Sequence, residues 1–342
     1  MGLRVTEVHC RFCSRLKSRS EIVANSAGQD ADAAFKCWFT KMQWNIIWQV
    51  EPNDLSLCLE RDWFYELISL VPVSSVHVDY KEKPLLSITL PYSIICASCP
   101  NQTDVRDLIS YLKSAPKPRV LYHMSDELVQ VGRELYQHCE LVIRNGSADF
   151  DLADDPRVLQ VPLGYVSGLN NGSGVSPRSS DRKCSFAFLG TMKNDRETEM
   201  LPALDELPSP KIIRKTKSFA AATKYFGVFT TIIYKNAVFV PNPMGNWNPE
   251  CFRLYDALEW GCIPLMKRYS ISRYHAGYHD ALFGRHPIPS FGEWRGAVDF
   301  ARELLADRAA LNNIQAEING WWQGYKSKLK NTIASRLAEL AI

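Results

Sequence analysis

Short apolar runs alternate with amphipathic stretches along most of the chain. Residues 44–50 and 119–123 have the length and apolar character of buried strands, and residues 104–114 repeat apolar side chains at helical spacing. The same rhythm resumes at residues 184–190 and continues through residues 262–266. Because strands that alternate with helices usually form parallel sheets covered by those helices, the pattern predicts an α/β fold.

A stretch rich in Gly, Ser, Asn and Pro interrupts this rhythm between residues 166 and 183. Such a composition is typical of a linker. It predicts two Rossmann-like, doubly wound domains, one over residues 1–165 and one over residues 184–342, with the second ending in helices. Sheets of this kind bind ligands at the carboxyl ends of their strands, so we expect the site in a cleft that both domains face.

Charge and hydropathy narrow the classes of partner. The 342 residues include 40 basic and 37 acidic side chains, a formal net charge of +3, which does not favour non-specific nucleic-acid binding. The longest apolar runs are far shorter than the roughly 20 residues that span a bilayer, and residues 1–30 lack the apolar core of a signal peptide. We therefore expect a soluble, cytoplasmic monomer without a membrane segment. The Golgi lumen is the alternative location if an anchor precedes this sequence.

Two Cys-x-x-Cys pairs raise the question of a metal. Cys10 with Cys13 and Cys96 with Cys99 could together offer four thiolates to one zinc ion. The pairs lie far apart in the chain, however, and small buried thiols are common at strand ends. The second half contains no Asp-x-Asp sequence, and an Asp-x-Asp at residues 30–32 has no strand before it. We therefore expect reduced thiols and no metal site.

Residues 242–264 read as a strand end, a turn-rich loop, an amphipathic helix and a short buried strand. The amino terminus of a helix presents free N–H groups and a positive dipole end to a phosphate. Arg253 in the first turn can bind a diphosphate through two N–H groups. Asp256, one turn later, can accept hydrogen bonds from ribose hydroxyls, and Asn248 lies in the preceding loop. The alternative is that Arg253 and Asp256 form an ordinary surface pair.

The helix and the strand after it resemble a known signature. Residues 251–264, Cys-Phe-Arg-Leu-Tyr-Asp-Ala-Leu-Glu-Trp-Gly-Cys-Ile-Pro, are similar to the Ser-Phe-Arg-Leu-Tyr-Glu-Ala-Leu-x-Ala-Gly-Cys-Ile-Pro-Val motif of the exostosin-like glycosyltransferases. Residues 121–127, 142–145, 161–165 and 186–190 also resemble blocks of that family. The resemblance covers about half of the chain. It implies a GT-B fold and inverting transfer of a sugar from a nucleotide-sugar donor, commonly a UDP-sugar.

Two positions depart from the family signature. Cys251 stands where serine is usual, and Asp256 stands where glutamate is usual. The first change could remove a phosphate-facing hydroxyl. The second shortens the expected ribose contact by one methylene.

The first strand of the second half ends in further candidates for the donor site. Gly190 would let a ligand approach the backbone closely, and Lys193 and Arg196 would add diphosphate cations. These three join Asn248, Arg253 and Asp256 as predicted donor-binding residues. The alternative for Lys193 and Arg196 is a solvated helix start.

An inverting transfer needs a base that removes the proton of the acceptor hydroxyl. Residues 123–127 follow a strongly apolar strand, so they lie at the carboxyl edge of the first sheet. Asp126 is the first choice, with Glu127 and His123 as alternatives, because an imidazole titrates near neutral pH. Asp126 could instead cap the following helix.

Taken together, these residues predict an inverting glycosyltransferase. It would move a sugar from a UDP-sugar such as UDP-xylose to a hydroxyl of a glycan acceptor, with no cofactor besides the donor. The alternative is a non-catalytic protein of the same fold that binds nucleotide sugars or glycans. The chain has neither a strand-associated Gly-x-Gly-x-x-Gly nor a Gly-x-Ser-x-Gly, which disfavours a dehydrogenase or an esterase.

Overall fold

The computed structural model describes most of the chain between residues 43 and 341. The described segments are residues 43–49, 55–78, 90–98, 105–124, 134–145, 155–171, 175–218, 227–245, 249–269 and 277–341. Several residues singled out from the sequence lie outside these segments, namely Cys10, Cys13, Cys99, Asp126, Glu127 and Asn248.

The described first half alternates strands and helices around a parallel sheet. Its elements are β1 (Trp44–Gln49), α1 (Leu55–Leu67), β2 (Val73–Val78), β3 (Ser93–Ser98), α2 (Val105–Ser114), β4 (Arg119–Met124), a 3-10 turn at Tyr136–His138, β5 (Leu141–Asn145) and β6 (Val158–Val161). The strand order is β2-β1-β3-β4-β5-β6, and every pair is parallel. Parallel strands are covered on both faces, which explains why β4 and β5 are almost entirely buried.

The described second half repeats this plan. Its elements are β7 (Cys184–Thr191), a 3-10 turn at Asn194–Arg196, α3 (Met200–Leu204), β8 (Ile212–Thr216), α4 (Val228–Asn236), β9 (Ala237–Asn242), α5 (Phe252–Glu259), β10 (Ile263–Lys267), α6 (Tyr278–Phe283), β11 (Ser290–Phe291), α7 (Trp294–Ala306) and α8 (Arg308–Leu340). The order is β11-β10-β9-β7-β8, again all parallel. The predicted α/β fold with two doubly wound sheets is confirmed.

Some predicted boundaries differ from the structure. The helix expected to start near Arg196 begins at Met200, after the 3-10 turn that contains Arg196. The reason is local, because the Arg196 guanidinium bonds the backbone of the preceding strand and of a neighbouring loop, and so fixes the chain in a turn. The helix expected over residues 219–226 lies outside the described residues.

A continuous hydrophobic cluster joins the two halves. The Trp63 ring stacks on the Trp322 ring with centroids 5.8 Å apart, and Tyr165 and Tyr255 pack against this pair. Gly164 makes the packing possible. It has a positive φ of 79°, and a Cβ at this position would lie 2.2 Å from the Trp63 ring.

The last helix, α8, contacts both halves. Trp322 belongs to the shared cluster, and Arg336 donates a hydrogen bond to the carbonyl of Pro156 at 2.6 Å. Helix α8 is the longest described helix, yet neither it nor any other described helix has the length and apolar character that a membrane span requires. The domain boundaries inferred from composition stay a prediction.

Lys326 on α8 forms a buried ion network between the halves. Its Nζ lies 2.5 Å from a carboxylate oxygen of Glu259 and 3.3 Å from one of Glu66. Lys330 reaches Glu66 at 3.1 Å. Burial alone would raise the pKa of Glu66, but Lys326 and Lys330 together hold it below its usual value. The network therefore pairs two buried carboxylates with Lys326, and at Glu66 the two lysines outweigh the effect of burial on the pKa.

We expect Lys326→Ala to lower the free energy of unfolding by about 3–5 kcal/mol, because removing one member of a buried ion pair leaves the other charge without compensation. Urea unfolding measures this change. Lys328→Ala is the matched control, since Lys328 is exposed on the same helix and its loss should change stability by less than about 0.5 kcal/mol. Equal effects of the two substitutions would contradict the structural role of the network.

Candidate functional site

Strands β7 and β9 lie side by side and mark the point where the order of the second sheet reverses. Their register pairs Phe186 with Phe239, and β8 and β10 extend the sheet in opposite directions. In doubly wound sheets, ligands bind in the crevice beyond the carboxyl ends of the two strands at such a reversal. The predicted donor residues Gly190 and Arg253 meet at this crevice.

The guanidinium of Arg253 lies against the end of β7. Its Nε donates to the carbonyl of Leu189 at 3.1 Å, and its Cζ lies 4.6 Å from the centre of the Phe188 ring. A Cβ at Gly190 would lie 2.5 Å from Nη2, so a side chain there would displace the guanidinium. Within the described segments, no acceptor bonds Nη2. The ring and the carbonyl thus hold the group while leaving one N–H edge available.

Arg196 is a second, deeper cation at the same edge. It is 3% exposed, and its Nη1 donates to the carbonyl and the hydroxyl of Thr191, both at 2.9 Å. Its Nη2 donates to the carbonyls of Met244 and Gly245. Burial and, after it, the positive charge of Arg253 lower the pKa of Arg196. Arg196 therefore ties the loops after β7 and β9 together and adds positive charge beside Arg253.

Cys251 and Asn242 complete this group. Cys251 is the N-cap residue of α5, and its thiol donates to Asn242 Oδ1 at 2.8 Å. Arg253 Nη1 lies 3.6 Å from the sulfur and donates to it. Asn242 is 1% exposed, and its Nδ2 has no hydrogen-bond partner among the described residues. We call Gly190, Arg196, Asn242, Cys251 and Arg253 the arginine pocket.

Sequence reasoning assigned no role to Asn242. The position of Asn242 could have indicated a role in the site, because it is the first polar side chain after a run of apolar strand residues, where the chain leaves the sheet. Lys193, which was predicted, is exposed on the loop that follows β7. The structure thus brings Gly190, Arg196 and Arg253 together, with Lys193 on the adjoining loop.

Asp256 is buried, and its observed partner is a backbone amide. The side chain is 2% exposed, and Oδ1 accepts a hydrogen bond from the Val166 N–H at 2.9 Å. Burial raises the pKa of Asp256 to about 8, against the lowering effects of the Val166 N–H and the Arg253 charge. This hydrogen bond joins α5 to the segment after β6. The ribose contact expected for it stays a prediction.

Two further carboxylates bind the same segment. Glu250 accepts from the Leu163 N–H at 2.6 Å and from the hydroxyl of Tyr278 at 2.7 Å. Glu259 accepts from the Asn171 N–H at 3.4 Å and from Trp322 Nε1 at 2.7 Å. Burial raises the pKa of Glu250 and of Glu259. Residues 163–171 are therefore fixed to the start and the end of α5.

His123 lies at the carboxyl end of β4 in a buried polar group. Its Nδ1 is 2.6 Å from the Tyr136 hydroxyl and 2.6 Å from Arg144 Nη1. Both neighbours can donate, so this pattern assigns the imidazole proton to Nε2 and makes Nδ1 an acceptor. With that lone pair occupied, His123 is less suited than a carboxylate to accept a proton. Asp126 and Glu127 lie outside the described residues.

The described cysteines and acids do not form a metal-binding group. Cys96, Cys139, Cys184 and Cys262 are buried free thiols, and Cys251 is half-buried. Within the described segments, no three His, Cys, Asp or Glu side chains lie together as a set of metal ligands.

Comparisons with known proteins give structural likeness without sequence likeness. No protein-family model matches the chain, and no curated protein matches it. HepE of Anabaena in complex with UDP and glucose is similar at a TM-score of 0.49, with 14% identity, over 87% of this chain and 100% of that chain. T4 phage BGT in complex with UDP and Mn²⁺ gives 0.46, with 10% identity, over 86% and 99%. MnaA of S. aureus with UDP gives 0.41, with 10% identity, over 80% and 90%. The fold stated above rests on the strand order of this chain.

Asp256 should make stability depend on pH. Because the folded-state pKa is raised to about 8, the folded protein binds the proton more tightly than the unfolded chain does. The contribution of protonated Asp256 to the free energy of unfolding is fully present below about pH 4 and is lost as the pH rises through about 8. Over that range the free energy of unfolding falls by up to about 1.4 kcal/mol per pH unit. The substitution Asp256→Asn removes this fall in stability with pH, and the amide oxygen of the new side chain can still accept the hydrogen bond from the Val166 N–H.

Urea unfolding of both proteins at pH 5, 6, 7 and 8 tests this prediction. We expect the variant to gain stability relative to the wild type as the pH rises. Glu250 and Glu259 are present in both proteins, so the difference between the two curves reports chiefly the titration of Asp256. Parallel stability curves would show that Asp256 does not carry the raised pKa.

Proposed function

We propose that this chain is an inverting glycosyltransferase that moves a sugar from a UDP-sugar to a hydroxyl of a glycan acceptor. The observation that carries the proposal is the Arg253 guanidinium, which lies on Gly190 at the strand-order reversal with one N–H edge available. The resemblance of residues 251–264 to the exostosin-like signature supports the same reaction. Membership of that family is part of the proposal.

The arginine pocket suits a diphosphate leaving group. A diphosphate gains negative charge as the sugar bond breaks, so donors already fixed at that place stabilise the transition state. Arg253 would bind a phosphate oxygen directly, with each hydrogen bond to a charged group contributing about 1.5–3 kcal/mol. Arg196 adds positive charge beside Arg253, and the free N–H groups at the start of α5 would add further donors to the phosphate. We propose that these groups meet the charge without a metal ion.

We propose that the nucleoside binds in a surface cleft beside the pocket. The cleft is lined by Pro249 before α5, by Lys267 and Tyr269 at and after the end of β10, and by residues of α6. Tyr269 and Lys267 are held by Asp195, whose Oδ2 lies 3.2 Å from the hydroxyl and 2.6 Å from the ammonium nitrogen. Fixed aromatic and polar groups of this kind suit a base and a ribose. UDP-xylose is the first donor to test.

The acceptor would bind from the side of the first sheet. There we propose Asp126 as the base, with Glu127 as the second candidate, because His123 Nδ1 already accepts from its neighbours. Transfer of sugar to a glycan distinguishes this proposal from the alternative of a non-catalytic binding protein with the same fold.

Arg253→Lys should raise the Kd for UDP at least about tenfold, because an ammonium group cannot reproduce the planar fork or its contact with the Phe188 ring. Isothermal titration calorimetry measures the change, and thermal unfolding checks that the fold is retained. Arg295→Lys is the matched control. Arg295 is an exposed arginine on α7 that pairs with Glu206, so the same substitution there should leave the Kd unchanged. Wild-type affinity in Arg253→Lys would place the diphosphate elsewhere.

Asp126→Asn should reduce the rate of sugar transfer by about 10²–10⁴-fold while leaving UDP affinity intact, because an amide cannot accept the proton. Asparagine caps helices about as well as aspartate, so the substitution separates catalysis from capping. Transfer and affinity are measured on the same sample, with Asp107→Asn, at an exposed site on α2, as the control. Near-normal transfer with a lower melting temperature would identify Asp126 as a cap.

A further inference from the structure

Cys251 differs from the other described cysteines in its exposure and surroundings. Cys96, Cys139, Cys184 and Cys262 are buried, whereas Cys251 is half-buried. It lies at the start of α5, where the thiol is between the Asn242 amide and the Arg253 guanidinium. Among the described cysteines, Cys251 is therefore the residue most open to a small oxidant.

Two buried N–H donors without partners in the described segments indicate that a hydrogen-bond acceptor binds near this thiol. Asn242 Nδ2 and Arg196 Nε are buried N–H donors, and neither has an acceptor among the described residues. Buried donors are almost always paired, so each points to an acceptor that binds here. Both side chains are more than nine-tenths buried, and Oδ1 of the same Asn242 amide accepts a hydrogen bond from the thiol. The surroundings of Cys251 can thus hold a diphosphate oxygen or an oxygen bonded to sulfur.

We propose that Cys251 is an oxidation site that closes the arginine pocket to the nucleotide. This inference rests on the proposed function of the pocket. With hydrogen peroxide as oxidant, the sulfur attacks one peroxide oxygen, the O–O bond breaks, and the thiol proton leaves with the other oxygen as water. The sulfur is oxidised by two electrons to sulfenic acid, and the peroxide is reduced.

The new oxygen would compete with a phosphate for the Arg253 guanidinium. Arg253 Nη1 lies 3.6 Å from the sulfur, so an oxygen on that sulfur comes within its reach and accepts its N–H. The oxygen also occupies the space in front of the first turn of α5. A bound diphosphate would in turn cover the sulfur and slow its oxidation. Serine, which is usual at this position in the exostosin-like signature, cannot undergo this reaction.

The test uses the full chain and compares each protein with its own untreated sample. After hydrogen peroxide treatment, we expect the Kd for UDP to rise at least about tenfold in the wild type and to return on addition of dithiothreitol. Cys251→Ser should show no change on treatment, whatever its starting affinity. Cys184→Ser should respond as the wild type does, because Cys184 is at the opposite end of β7 from the pocket. Dimedone labelling with peptide mapping should find sulfenic acid at Cys251, and less of it when UDP is present.

The outcomes separate this inference from the proposed function. Untreated wild type that does not bind UDP contradicts the proposed function, and the closing of the pocket with it. Treated wild type that binds UDP normally, or a treated Cys251→Ser that loses affinity, contradicts only the oxidation site. Labelling at other cysteines without labelling at Cys251 also overturns it.

Discussion

The hydrogen bonds from residues 163–171 to the carboxylates of Glu250, Asp256 and Glu259 are the constraint on which the candidate site depends. They join the segment after the first sheet to the helix that carries Arg253. The pocket lies at the start of that helix, so the helix that carries Cys251 and Arg253 is also held by contacts with the other half of the chain. A change in how the halves pack would therefore act on α5. The arginine pocket and the contact between the halves therefore share one helix.

Burying three carboxylates in one short segment is costly in free energy. Burial raises the pKa of each of them, which means that the charged form is less stable there than in water. Their hydrogen bonds offset part of that cost, and Lys326 pairs directly with Glu259. Apolar side chains would fill the same space at lower cost, but they would not fix the register of a segment rich in glycine and serine. We infer that position, more than stability, is what these carboxylates provide.

The sequence predicted the fold well and the site in part, for physical reasons. Buried parallel strands must be apolar, so both sheets were visible in the pattern. Gly190 and Arg253 were predicted to share a site, because a glycine at a strand end and a cation in a first helical turn both suit a phosphate. The burial of Asp256 was not predictable, since helical periodicity identifies a face but not what covers it. The cover is the segment around Val166, whose composition suggested an exposed linker. Asn242 was missed because a single amide after a strand has many uses.

In the proposed function, Arg196 and Arg253 act on the anion in different ways. Both Nη groups of Arg196 donate to backbone and hydroxyl oxygens, so the side chain is fixed and these groups are not free to bind a ligand. Its positive charge still acts at short range. Arg253 is held through Nε and the Phe188 ring, which leaves Nη2 for a ligand. The two guanidinium groups carry like charges, and the charge of Arg253 acts on Arg196. In the proposed function, an anion offsets that repulsion and supplies an acceptor to the buried Arg196 Nε. The same arrangement explains why an oxygen added to Cys251 would act as a competitor, because it brings an acceptor to donors that the diphosphate would otherwise fill.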